Sequence, residues 1–151
     1  MNAFAQKLPR RNELSSLRHC LQRIQILNSL KDEELDKMLA VMKKRIVPAG
    51  VTVYRQGDKA DAFYLVASGR LSVWQRNGFQ SGVIASVRDG QYFGDNSLLH
   101  DSRHSCSVVA ETHSELYVLY KADFEAILMA NQRIADAIKA HVSEIRTGTH
   151  G

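Results

Sequence analysis

The chain has 151 residues, 44% hydrophobic and 24% charged, enough for one domain with its own core. No apolar run reaches the ~20 residues a membrane helix needs, and residues 1–9 lack the apolar stretch of a secretory signal, so a cytoplasmic chain, or the cytosolic part of a membrane protein, is expected. The net charge of +4 is spread along the chain, with only Arg10-Arg11 and Lys43-Lys44-Arg45 as short clusters, which argues for a solvated surface and against a nucleic-acid partner.

In chain order, residues 11–27 read as a helix, with Leu14, Leu17, Leu21 and Ile24 on one face. Residues 30–42 make a clearer one, with Leu35, Met38, Leu39 and Met42 at helical spacing. Ser29-Leu30-Lys31-Asp32 has the form of a capping box in front of it. From 45 to 120 the period shortens to that of strands: Ile46-Val47, 51–54, 63–66, 71–74, 83–85, 106–109 and 116–119. Gly57-Asp58, Ser68-Gly69, Asn77-Gly78 and Asp89-Gly90 punctuate them, and Asn77-Gly78 predicts a hairpin whose two central residues both have φ > 0. Many short, evenly spaced strands mean a sandwich, roll or barrel. The end returns to helix: Phe124, Ile127 and Leu128 form one apolar face, and Ile134, Ile138, Val142 and Ile145 another, followed by a polar tail at 147–151.

The two cysteines, Cys20 in a helix and Cys106 in a buried strand, have no metal-ligand spacing and read as free thiols of a reducing compartment. The six histidines are scattered, and no metal or cofactor is expected. Ser105 and His104 are adjacent with no third group, a poor arrangement for a nucleophile and its base, so no enzyme is predicted.

One segment breaks the strand pattern. Asp89-Gly90-Gln91-Tyr92-Phe93-Gly94-Asp95-Asn96-Ser97-Leu98-Leu99 has two glycines, an acid and small polar residues, and fits a single helical turn. Such a turn aims several backbone N–H groups at one point, a ready anion site. Asp95 is placed to accept from sugar hydroxyls, and Arg103-His104-Ser105 follows with cationic or potentially cationic groups.

Three stretches resemble the cyclic-nucleotide-binding family of protein kinase A regulatory subunits, nucleotide-gated channels and the catabolite activator. They are Pro48-Ala49-Gly50 with Tyr54-Arg55-Gln56-Gly57-Asp58, then Phe63-Tyr64-Leu65-Val66-Ala67-Ser68-Gly69-Arg70-Leu71, then Asp89-Gly90-Gln91-Tyr92-Phe93-Gly94. The resemblance covers roughly 27–128. It implies a mainly β fold with flanking helices, the cyclic-nucleotide-binding β-roll, a jelly-roll-like double-stranded β-helix. It further implies an N-terminal helical linker at 1–28, a roll at 29–130 with its phosphate-binding cassette at about 90–107, and a lid helix with tail at 131–151. The expected function is a regulatory domain that senses cyclic AMP or cyclic GMP and moves a lid helix to signal to an attached channel, kinase or other effector.

By the same resemblance, Phe93, Gly94, Asp95, Asn96, Ser97 and Leu98 form the cassette turn, Asp95 standing where the family has the ribose-binding Glu. His104 stands at the position of the phosphate-binding Arg, with Arg103 just before it. Ser105 carries the hydroxyl that in the family favours guanine. Val83 is expected at the base and Ile138 on the lid. The His104 exchange opens two alternatives: a domain that keeps the fold for coupling without a nucleotide, or one that takes an uncharged nucleoside.

Overall fold

The computed structural model describes residues 18–24, 27–98 and 101–149, with the side chains of 95, 96 and 141–149 excepted. Its elements are helix α1 (Asp32–Val41), strands β1 (Lys43–Val47), β2 (Thr52–Tyr54), β3 (Lys59–Ala60), β4 (Ala62–Ser68), β5 (Arg70–Asn77), β6 (Gln80–Arg88) and β7 (Tyr92–Phe93), then a 3-10 turn (Asp95–Leu98), β8 (Ser102–Arg103), β9 (Ser107–Ala110) and β10 (Ser114–Tyr120), then α2 (Lys121–Ala130) and α3 (Gln132–Thr149). Two compact units result: residues 42–121, which hold every strand, and residues 18–41 with 122–149, which are helical. Leu14, Leu17 and Leu99 of the expected pattern lie outside the described residues.

The strand unit is two four-stranded antiparallel sheets, in the orders β1-β10-β4-β7 and β2-β9-β5-β6, and a two-stranded ribbon, β3-β8. This is the mixed architecture expected, a β-roll with flanking helices. Val53, Tyr64, Leu71, Val108, Leu116 and Val118 belong to one buried cluster drawn from both sheets. β4 is buried without interruption over residues 62–66, a continuous apolar run such as only a strand covered on both faces can carry. Gly69 turns the chain from β4 to β5 at φ 112°, and a Cβ there would run into the side chain of Ser114 and come within 2.7 Å of its Cα. Only glycine accepts both the backbone angle and the space.

The β5–β6 hairpin forms where expected, but its geometry corrects the reading. Asn77 pairs with Gln80, so the central residues are Gly78 and Phe79, and Gly78 alone has positive φ. That is the pattern of a two-residue turn with glycine at its first central position, for which Asn77 needs no unusual backbone.

In the helical unit the start of α1 is also shifted from the expected box. Glu34 Oε1 accepts from the Lys31 N–H at 2.8 Å, and Lys31 O accepts from Leu35 N–H, so Lys31 rather than Ser29 occupies the cap position. Arg18 donates to Asp36 at 2.7 Å and Gln22 to Asp32 at 2.8 Å, tying residues 18–22 to α1. Lys37 donates to Asn131 Oδ1 at 2.8 Å and Arg133 pairs with Glu34, which fastens the junction of α2 and α3 to α1. Leu35, Met38, Phe124, Ile134 and Ile138 are buried as their spacing predicts. The expected tail is shorter than read, because α3 continues to Thr149.

Candidate functional site

The strand unit carries an open cavity of about 660 Å³ whose rim is built by three backbone devices. The first is Gly94, at φ 80°, where the chain leaves β7. A Cβ on it would lie 2.9 Å from Ala62 O and 3.4 Å from Tyr64 Cδ1, so glycine is required for the backbone to approach β4 so closely. The second is the 3-10 turn that follows. Ser97 N–H donates to Gly94 O at 3.0 Å, and Ser97 is 2% exposed, so the turn is seated in the wall of the roll. The third is the β3-β8 ribbon, in which Lys59 lies opposite Arg103 and Ala60 opposite Ser102.

The ribbon's far end is pinned by exchange with the Gly57-Asp58 turn. Gly57 N–H donates to His104 O and His104 N–H to Asp58 O, both at 2.8 Å. Arg103 Nη1 donates to Gly57 O at 2.9 Å, one of the five N–H donors of its guanidinium. His104 is therefore fixed through its own backbone. Its imidazole lies flat on the ring of Tyr54, centroids 3.4 Å apart and planes 5° from parallel. Burial pushes the His104 pKa below its ordinary value, against the opposing pull of Asp61 and Asp58. The side chain at the expected phosphate position is thus a half-buried, neutral, stacked imidazole at pH 7.

Tyr54 and Phe93 line the cavity, and Tyr64 packs behind them in the core. Tyr64 and Phe93 stack at 4.9 Å, and Tyr54 meets both rings at a tilt. Burial raises the Tyr64 pKa to about 12, so its phenol stays protonated through the physiological range.

Of the residues singled out in the sequence, Phe93, Gly94, Ser97, Arg103, His104 and Ser105 line this one cavity. Leu98 does not; it is a core residue, 3% exposed. Val83 is placed elsewhere: it sits on β6 opposite Trp74, 51% exposed, because the hairpin carries it out along the sheet margin. Ile138 is buried in the helical unit, 3% exposed. The backbone of Asp95 and Asn96 is in the 3-10 turn, while their side chains lie outside those described. Cys106 is half-buried immediately before β9 rather than inside a strand, and lines the cavity too.

Tyr54, Ala60, Val73, Ser102 and Val108 complete the lining and were not singled out as site residues beforehand. Alternation gave no signal for Tyr54: a register shift between Thr52 and Tyr54 lets Tyr54 pack against the same core cluster that holds Val53. Among the described residues no cluster of three metal-ligating side chains occurs, and no helix is long and apolar enough to cross a membrane.

The strand unit is thus an antiparallel β-roll whose cavity is rimmed by a glycine-opened 3-10 turn and a two-stranded ribbon. Residues 44–131 match the family described as "Cyclic nucleotide-binding domain", and the chain belongs to that family, a regulatory and non-catalytic one. The chain is 33% identical over 116 residues to the "Cyclic AMP receptor protein" of Thermus thermophilus, covering 76% of this chain and 54% of that protein. It is 34% identical over 108 residues to the "cAMP-dependent protein kinase regulatory subunit" of Yarrowia lipolytica, covering 72% of this chain and 28% of the relative. Its fold is also that of the N-terminal domain of a transcriptional regulator from Streptomyces coelicolor, with a TM-score of 0.79 at 23% identity, over 86% of this chain and 94% of the other. The chain thus spans from about a quarter to about half the length of the curated relatives it matches.

Proposed function

We propose that this chain is the sensing module of a larger regulatory protein, one that takes a cyclic nucleotide, cyclic AMP or cyclic GMP, into the roll and reports its presence to an attached effector domain or subunit. The observation that carries this reading is the convergence of Gly94, Ser97, Arg103, His104 and Ser105 on a single cavity. The turn supplies backbone N–H groups for an exocyclic phosphate, Asp95 a carboxylate for the sugar, Arg103 a cation and His104 a hydrogen-bond donor. The names of the relatives, a cyclic AMP receptor and a kinase regulatory subunit, support the same ligand class. In this reading residues 29–130 sense, 131–151 form the lid with Ile138 on its apolar face, and 1–28 link to a neighbour.

His104 sets the terms of binding. A neutral imidazole donates one hydrogen bond to a phosphate oxygen, where an arginine gives two and a permanent charge. Loss of one charge-assisted contact, about 1.5–3 kcal/mol, weakens binding roughly 10- to 150-fold. An anion arriving beside His104 favours its protonated form, so binding takes up a proton and affinity rises as pH falls.

The stacked, neutral state of His104 also favours a second reading, in which the roll takes an uncharged nucleoside or serves coupling alone. Calorimetric titration with cyclic AMP and cyclic GMP at about pH 6 and pH 8 separates the two. Saturable binding that tightens at the lower pH supports the sensor. No heat from a folded sample at millimolar ligand overturns it, and adenosine and guanosine then decide between the remaining options.

A further inference from the structure

A second concave surface of the strand unit shares no lining residue with the cavity. β6 is the edge of its sheet, in the order β2-β9-β5-β6. Edge strands expose a row of backbone N–H and C=O groups, and proteins blunt them with lysine, proline, bulges or short length. β6 is nine residues long, residues 80–87 contain neither a charge nor a proline, and its register shift falls at Ile84, between the pairs Val73–Ala85 and Trp74–Val83, so residues 80–83 are the regular, unblunted part of the edge. Val83 and Ile84 are 51% and 57% exposed, and Phe79 at the hairpin tip stands fully in solvent.

Beside this edge lies a groove of about 690 Å³, lined by Arg55, Gln56, Trp74, Gln75, Arg76 and Ser81 among others. Trp74 is opposite Val83 and Arg76 opposite Ser81, so the groove reaches β6 at Ser81 and the free edge is the far side of that same strand. The groove is held open by Gln56. Its amide donates to Arg76 O at 3.0 Å and accepts from Arg76 N–H at 2.8 Å, while its own N–H donates to Ser107 Oγ at 2.8 Å.

The charge of this surface is of one sign. Residues 70–88 contain Arg70, Arg76 and Arg88 and no acid. Arg70 is paired with Glu111, but among the described residues Arg55, Arg76 and Arg88 have no ion-pair partner. The nearby Asp58 accepts from the backbone N–H of Arg55 at 3.0 Å rather than from its guanidinium. A second copy of the chain would bring the same arginines to the same edge, so charge favours a partner of opposite sign.

We propose that this surface docks an extended acidic segment of a partner protein. The segment adds as a strand to β6, sets carboxylates against Arg55 and Arg76, and lays apolar side chains over Trp74, Val83 and Ile84. Main-chain pairing supplies affinity in such additions and the alternating side chains supply choice. The inference does not depend on what the cavity binds.

Trp74 is the chain's single tryptophan, so its fluorescence reports the groove without a label. The full chain is titrated with a capped peptide of about ten residues alternating Glu and Val, chosen to match the length and period of an edge strand. The expected result is a saturable change in Trp74 emission. Binding should weaken about tenfold when Arg55→Gln and Arg76→Gln are combined, as loss of two exposed charge contacts requires. It should also fail with Ile84→Lys, which blunts the edge, and with the Lys-Val counterpart peptide. Circular dichroism and melting of the variants serve as controls of folding, since the substituted residues are at the surface. Equal binding of an acidic peptide with proline at alternate positions would show charge attraction without strand pairing and overturn the proposal. So would an unchanged emission, or self-association through β6 that the acidic peptide does not compete away.

Discussion

At the scale of single residues, His104 is the position on which the site turns. Restoring the charge with His104→Arg should tighten cyclic-nucleotide binding roughly 10- to 150-fold and remove most of its pH dependence, as read by titration at two pH values. The same histidine affects stability in the absence of ligand. Its folded pKa is lowered by burial, so the unfolded chain takes a proton at a higher pH than the folded chain does. The contribution is complete above the unfolded value near 6.5 and is lost as pH falls toward the lowered folded pKa. His104→Gln should therefore flatten the fall in denaturant midpoint between about pH 7 and pH 5, and an unchanged slope would place that fall on other groups. Ser105 tests the choice of base: Ser105→Ala should weaken cyclic GMP more than cyclic AMP if its hydroxyl meets the base.

At the scale of elements, the two glycine turns are the positions least open to change. Gly94→Ala adds a Cβ against the Ala62 carbonyl at a positive φ, and Gly69→Ala drives one into Ser114. Each should cost about 1–3 kcal/mol from the backbone conformation alone, measured as a shift in urea midpoint at constant slope. Gly94→Ala should in addition displace the 3-10 turn and abolish ligand binding. Gly69→Ala, far along the chain from that turn, should lower stability with the site intact.

The long elements were legible in the sequence because each repeats its period several times. β4, β5 and β10 carry five or more residues of apolar or alternating pattern, and the helical faces of Leu35–Met38 and Ile134–Ile138 are buried as spaced. β3, β7 and β8 have two residues each, too few to show any period, and they exist only because the ribbon and β4 pair with them. The cap of α1 was misplaced because Ser29 is the better cap by residue type, whereas the acid that closes the box is Glu34, which accepts from the Lys31 N–H. The cavity's rim was legible as a chemically unusual segment between strands. Its Tyr54–His104 stack was not, since it depends on a Gly57–His104 exchange across 47 positions of chain. Val83 was misplaced for a related reason: alternation tells which face a residue takes, but not how far along a hairpin the cavity extends.

At the scale of the whole molecule, ligand and fold are linked. A ligand that binds only the folded roll should stabilise it by about 2.7 kcal/mol at a hundredfold excess over Kd, which for a chain of this size raises Tm by roughly 5–10 °C. A thermal-shift series with cyclic AMP, cyclic GMP and the two nucleosides reads this directly, and no rise with any of them would support the coupling-only reading.

The pairing of β1 with β10 has one more consequence, for the order in which the polypeptide is made. β1 ends at Val47, yet its neighbour in the sheet, residues Ser114–Tyr120, is synthesised last of all the strands. The β5–β6 hairpin closes locally as soon as Arg88 has left the ribosome, but the roll stays open for some thirty residues more. Throughout that interval β1 and β4 wait with apolar side chains uncovered and their shared partner missing. A nascent chain stalled before residue 114 should therefore stay protease-sensitive, and one stalled with residue 120 clear of the ribosome should become resistant, a difference that limited proteolysis of stalled chains reads.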